Sequence, residues 1–254
     1  MKLFGKTMTP DPEVVVDIQN LQKLFKLHHN YSLKDSFVNL FTRSNIHKTM
    51  FTALNDINLQ VHRGEAVGLI GRNGSGKSTL LKQITGVQRP DAGSVRVKGK
   101  MAGLIEVGAG FHPDLTGREN IYLNGAILGM SKNEIEQKFD EIVEFSGQAK
   151  FIDTEVRFYS SGMYMRLAFS VAIHTEPDLF LVDEVLSVGD NEFRKKCIQK
   201  LFELKNENRT FMIVSHSENQ IRQICDRVVW LHHGIIMADG TPDEVYPKMN
   251  AFQS

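Results

Sequence analysis

Cysteine is scarce: Cys197 and Cys225 are the only two among 254 residues. Two thiols cannot build a disulfide scaffold, and their spacing gives no zinc pattern, so a reduced, cytosolic setting is expected. Net charge is missing as well, because 30 Lys and Arg cancel 30 Asp and Glu. That balance argues against a basic nucleic-acid binder and against an acidic disordered tail. No run approaches the roughly 20 apolar residues that cross a bilayer. The start, Met1 to Glu13, has no apolar core for a signal peptide. A chain of this kind that serves a membrane does so from outside the lipid. Low-complexity tracts and internal repeats are also lacking. What is present is ordinary globular material, 41% hydrophobic and 24% charged, enough for one α/β domain or one with a small lobe.

Val14–Ile18 reads as a first strand and Ala66–Ile70 as a short buried one. Between them Lys26 to Met50 is too long for a plain turn. Ser32 and Asp35 there suit a helix start, with Leu33, Phe37, Leu40 and Phe41 on one face. A turn and strand follow at Asp91–Val97, then a glycine-rich stretch through Gly110. From about Gly117 to Ile173 the pattern is helical, with a capping box at Ser131 and Glu134. Strand signals return at Leu179–Val182 and Phe211–Val214, with helical segments between and after them. Two strand-rich halves around a helical insertion predict an α/β core with a helical lobe.

Gly71-Arg72-Asn73-Gly74-Ser75-Gly76-Lys77-Ser78 fits G-x-x-x-x-G-K-[ST], directly after a buried strand and before a helical pattern. In that context the motif reads as a P-loop. Glycines let backbone N–H groups turn toward phosphate oxygens, and the following helix adds its positive end. Lys77 is expected to reach the β- and γ-phosphates and the Ser78 hydroxyl to ligate Mg²⁺. The plainer alternative is a flexible Gly/Ser loop, but a chance match in a chain this long is on the order of 1 in 100.

Leu179-Phe180-Leu181-Val182-Asp183-Glu184 sets two acids at the end of an apolar strand, where α/β sheets gather their ligands. Asp183 is expected to hold Mg²⁺ and Glu184 to orient or deprotonate the attacking water. Val214-Ser215-His216-Ser217 repeats the arrangement with a histidine at the tip. His216 would donate a hydrogen bond to the γ-phosphate or the water; an ordinary surface histidine is the competing reading. The remaining histidines show no metal-ligand spacing.

Tyr159-Ser160-Ser161-Gly162-Met163, followed by an apolar helix-like run, resembles the signature motif of ATP-binding cassette (ABC) proteins, usually written LSGGQ. The resemblance runs from about Val14 to Val245, with the motifs in the family's order. It implies an α/β fold: a P-loop NTPase ABC cassette whose RecA-like mixed-sheet core has an antiparallel β part and an inserted helical subdomain. On that reading residues 1–254 form a single ABC ATPase domain. Residues 1–116 and 174–254 make the core, with an insertion at 26–50, and residues 117–173 make the helical subdomain. Nucleotide contacts fall to Gly71, Asn73, Gly74, Ser75, Gly76, Lys77, Ser78 and Thr79. Asp190 matches the D-loop aspartate, and Phe25 sits where the family stacks an aromatic on adenine. A core role for Phe25 stays open, with Tyr31 also eligible. Ser160 and the Gly162 backbone, in the other lobe, serve the ATP of a second copy, so two chains close head to tail on two nucleotides.

Several departures narrow the resemblance. Ser161 and Met163 replace a signature glycine and glutamine, and no proline follows Glu184. The Q-loop glutamine is missing; Glu106 is the nearest substitute as a metal ligand, although an ungapped alignment sets Val107 there. Together these variants look like the nucleotide-binding subunits of polysaccharide exporters of the O-antigen and teichoic-acid type, which carry a similar insertion. The implied cofactors are ATP and Mg²⁺. The implied partners are a second copy, a polytopic membrane permease and a lipid-linked polysaccharide, with no nucleic acid, at the cytoplasmic face of the cell membrane. The insertion helix either meets the glycan head or packs on its own core. No appended carbohydrate-binding domain is expected in the short stretch past Val245. A soluble ABC ATPase acting on ribosomes or DNA is the alternative, opposed by the single cassette, the lack of sustained heptads and the neutral charge.

Overall fold

The computed structural model describes residues 13–26, 50–103, 108, 110–183, 190–215 and 217–253, with the backbone alone for Asp183 and Gln253. The chain opens with two long strands, β1 (Val14–Lys26) and β2 (Met50–His62), paired antiparallel. β1 outruns the Val14–Ile18 strand expected from the sequence. Its second half, with Asn20, Gln22 and Lys23, has poor strand propensity, and pairing to β2 carries it. Lys26 stands opposite Met50, so the 26–50 insertion springs from the open end of a β-ribbon. Residues 27–49, with Tyr31 and the expected helix, lie outside the described residues. On its other edge β1 pairs with β4 (Ala92–Val97), completing a three-stranded antiparallel sheet.

The second sheet has the order β5-β6-β7-β3-β8-β9. Its members are β3 (Ala66–Ile70), β5 (Met101–Gly103), β6 (Leu179–Asp183), β7 (Thr210–Val214), β8 (Arg227–His232) and β9 (Ile235–Gly240). The first five in order run parallel and β9 closes the edge antiparallel. All of β3 and β7 is buried, as the central strands of a sheet covered on both faces must be. Alternate residues serve the two layers. Leu179 and Leu181 face β1, β2 and the first helix, α1 (Lys77–Ile84). Phe180 and Val182 face a second core shared with α5 (Asn191–Asn206), α6 (Glu218–Ile224) and α7 (Pro242–Gln253).

Three helices fill the stretch expected to be helical: α2 (Gly117–Ile127), α3 (Lys132–Ser146) and α4 (Ser161–Ile173). α3 starts on the capping box of Ser131 and Glu134, and α2 on another formed by Thr116 and Glu119. Ile121, Ile135, Ile142, Leu167 and Val171 give these helices a core of their own. From Leu167 onward every residue of α4 is buried, so its rear half is embedded while its first turn reaches the surface.

Candidate nucleotide site

β3 ends at Ile70, and the chain then turns through Gly71 (φ 147°) and Gly76 (φ 110°) into α1. Both glycines are required. A Cβ on Gly71 would stand 2.2 Å from the Leu231 carbonyl oxygen, and one on Gly76 2.8 Å from that of Ala53. Gly76 is the N-cap of α1 and supplies no side-chain acceptor. The first N–H groups of the helix therefore face the loop, which is what an anion needs. The β8–β9 turn buttresses the loop from behind: the Gly234 N–H donates to Ser75 O at 2.9 Å.

Lys77 is buried, and its ammonium donates to the carbonyls of Gly71 (2.7 Å) and Arg72 (3.2 Å). The Ser75 hydroxyl is buried with no hydrogen-bond partner among the described residues. A cavity of about 380 Å³ opens over the loop, lined by Asn73, Gly74, Gly76, Lys77, Ser78 and Thr79, with Ala53 and two phenylalanines beyond. These are Phe25 and Phe51, directly opposite each other across the β1–β2 pair. Cross-strand partners project from the same sheet face. The structure thus sets Phe25 at the P-loop, away from the buried clusters, and adds Phe51, which sequence reasoning missed. Phe51 is 49% exposed. Its proximity to the loop arises from strand register, and only the Met50–His62 pairing could have revealed it.

The sheet gathers the other motifs at the same edge. Asp183 is in register with Val214, and Val214 with Leu69, so parallel strands deliver Asp183, Ser215 and the P-loop side by side. Glu184, His216 and Glu106 lie outside the described residues. Among the described residues no group of three His, Cys, Asp or Glu side chains forms a cation cage. The Ser78 hydroxyl on the cavity wall and Asp183 at the strand end are hard oxygen donors. They suit Mg²⁺, which takes few protein ligands and the rest from phosphates. Cys197 and Cys225 are buried free thiols pushed up to about 12, which keeps them protonated and inert.

Ser160 and Gly162 are not among the residues lining this cavity. Ser160 caps α4, its hydroxyl accepting from the Met163 N–H at 3.2 Å. Among the described residues a Cβ on Gly162 would meet nothing closer than Ser160 Oγ at 3.9 Å. Packing among the described residues therefore does not explain that glycine. Asp190 caps α5 by accepting from the Phe193 N–H at 2.9 Å and is ion-paired with Arg166. Those two contacts hold its carboxyl below the usual range, the N–H first.

The model of the family described as ABC transporter matches residues 54–187, more than half of the chain. The chain belongs to the ABC transporter family. It is 43% identical over 236 residues to the O-antigen export system ATP-binding protein RfbB of Klebsiella pneumoniae, covering 92% of this chain and 96% of that one. It is 40% identical over 239 residues to the teichoic acids export ATP-binding protein TagH of Listeria monocytogenes, covering 94% of this chain and 70% of that one. With the O-antigen export ATP-binding protein RfbB of Myxococcus xanthus it shares 49% identity over 197 residues, 78% of this chain but 45% of that protein. The chain thus spans less than half the length of that relative. Among solved structures, an ATP-binding subunit of an ABC transporter superposes with a TM-score of 0.74 at 23% identity, over 93% of both chains. A dimeric ATP-binding cassette bound to ADP and Pi superposes with a TM-score of 0.70 at 22% identity, over 89% of this chain and 98% of that one. Those two likenesses are of fold: the mixed sheet with its antiparallel part and helices is that of an ABC cassette.

Proposed function

We propose that this chain is the ATP-hydrolysing subunit that powers export of a lipid-linked polysaccharide through a separate membrane permease, working from the cytoplasmic face of the membrane. The observation that carries the reading is the single cavity shared by the P-loop and the Phe25–Phe51 pair, which supplies a phosphate cradle and an aromatic seat for a base. The names of the relatives at 40% and 43% identity support export of a surface polysaccharide. No helix among the described residues is long and apolar enough to cross a membrane, which fits a division of labour with a permease.

In the working cycle the triphosphate enters the cradle. Lys77 exchanges the carbonyls of Gly71 and Arg72 for the β- and γ-phosphate oxygens, and the α1 N–H groups take the remaining charge. Ser78 and Asp183 would hold Mg²⁺, which when bound would neutralise charge on the phosphoryl oxygens. Glu184 orients or deprotonates the attacking water and His216 donates to the γ-phosphate. The site is completed across an interface. Ser160 and the Gly162 N–H of a second copy, at the positive end of α4, cap the γ-phosphate. Splitting ATP removes that ionic bridge and opens the dimer, and the motion is passed to the permease.

The test joins chemistry to transport. The purified chain should hydrolyse ATP, and Lys77→Ala should lower the rate by about a hundredfold. In cells that depend on this chain and its permease, the same variant should abolish surface polysaccharide. Export sustained by Lys77→Ala would overturn the proposal.

A further inference from the structure

Helix α4 carries two side chains that the nucleotide chemistry leaves unused. Tyr164 lies one turn beyond Ser160, and its hydroxyl donates to the Gly108 carbonyl at 2.8 Å. Its ring meets Phe111 edge-on, with centroids 5.1 Å apart. The approach is close enough that a Cβ on Gly108 would stand 2.5 Å from the Tyr164 ring. Burial raises the phenol above its ordinary pKa, so it remains a donor at neutral pH.

Arg166 stands two residues on, about 200° around the helix, and so points the other way. Its guanidinium is ion-paired with Asp190 and lies 5.2 Å from the Phe193 ring centroid. Gly108 belongs to the stretch that follows β5, and Asp190 closes the stretch that follows Asp183 in β6. One helix therefore grips, from opposite sides, the chain that leaves two neighbouring strands at the catalytic edge. Along its axis the grips are only about 6 and 9 Å from Ser160. The helical core of Ile121, Ile135, Ile142, Leu167 and Val171 includes neither residue.

We infer that Tyr164 and Arg166 are positioning residues: they tie the capping end of α4 to the strand-end segments of the chain's own ATP site. Engagement of Ser160 on a partner copy's γ-phosphate then reaches Gly108 and Asp190 through side chains rather than through the sheet. The inference rests on the proposed two-copy ATP site. A helix whose rear half is embedded moves as a unit, so a shift at Ser160 must displace either Gly108 and Asp190 or the contacts that hold them. Close-packed interiors transmit such displacements in place of absorbing them.

The experiment uses the full chain with Tyr164→Phe, Arg166→Lys and Arg166→Ala. It reads kcat and KM for MgATP, the Kd for trinitrophenyl-ATP and the thermal midpoint. Tyr164→Phe keeps the ring on Phe111 and should lower kcat about fivefold. Arg166→Ala should lower it about tenfold or more, with Arg166→Lys recovering part of the loss. Kd and midpoint should hold at wild-type values. In a Ser160→Ala background Arg166→Ala should cost little further, because the link is already cut. Unchanged kcat, a loss explained by Kd or midpoint, or a fully multiplicative loss with Ser160→Ala overturns the inference. A wild-type chain without ATPase activity would instead bring down the proposed function together with it.

Discussion

Gly162 and Phe51 make the same point from opposite directions. Among the described residues a methyl on Gly162 meets nothing nearer than Ser160 Oγ at 3.9 Å, so alanine should leave the fold unharmed or stabilise α4 by about 0.5–1 kcal/mol. Turnover should nevertheless fall by about tenfold if, as proposed, Gly162 faces a partner's phosphate, because the methyl would then take up that space. Equal losses of thermal midpoint and activity would contradict this. Phe51, half exposed beside the P-loop cavity, loses nothing structural on truncation. Phe51→Ala should weaken nucleotide Kd about fivefold while kcat at saturation holds, the behaviour of a group that grips substrate and transition state alike. A Kd within twofold of wild type would remove Phe51 from the site. Position in the motif marks Gly162, whereas nothing in Phe51's neighbours along the chain marks it.

At the scale of elements, α4 shows how a helix terminus becomes a pH sensor of stability. His174, the C-cap of α4, is buried with Nδ1 2.7 Å from the Ser170 carbonyl and Phe145 edge-on at 5.3 Å. Burial lowers its pKa against the pull of the Ser170 carbonyl, and of the charges facing it Lys200 and Lys138 lower it further while Glu141 opposes them. The unfolded chain therefore binds the proton first, so stability is full above about pH 6.5 and declines as pH falls toward the folded value. His174→Gln should flatten the dependence of thermal midpoint on pH below 6.5, and an unchanged slope would assign the loss to other groups. The elements with one-sided local signals were readable: the apolar runs of β3, β6 and β7, and the Ser131 capping box. β8 has such a run as well, Val228–Leu231, which sequence reasoning missed; β9 and the far half of β1 have none. In β9 exposed and half-buried residues alternate without deep burial, and Arg227, bonded to Asp239 and Glu65, anchors its partner through residues distant in sequence. Register, not propensity, makes them strands.

For the whole molecule the proposed two-copy site makes the association of two copies on ATP the quantity to measure. Glu184→Gln should bind ATP normally yet stall before hydrolysis, so the chain should sediment as a dimer with ATP and as a monomer with ADP. Rapid turnover by that variant, or a dimer indifferent to nucleotide, would refute a shared site. The outcome bears on Ser160 and Gly162, which do not line the P-loop cavity of their own chain.

By itself the sequence determined the motifs from which the chemistry is proposed: a phosphate loop after a buried strand, acids at a second strand's end and a serine-glycine helix start. Each depends on a few adjacent residues whose backbone needs and polarity are local. Only the tertiary structure decided that Asp183, Val214 and Leu69 share a level of one parallel sheet. It alone set Phe51 across from Phe25 and left α4 gripping both Gly108 and Asp190. Those facts depend on strand register and helix rotation, which are settled when remote segments compete to bury apolar surface against one another.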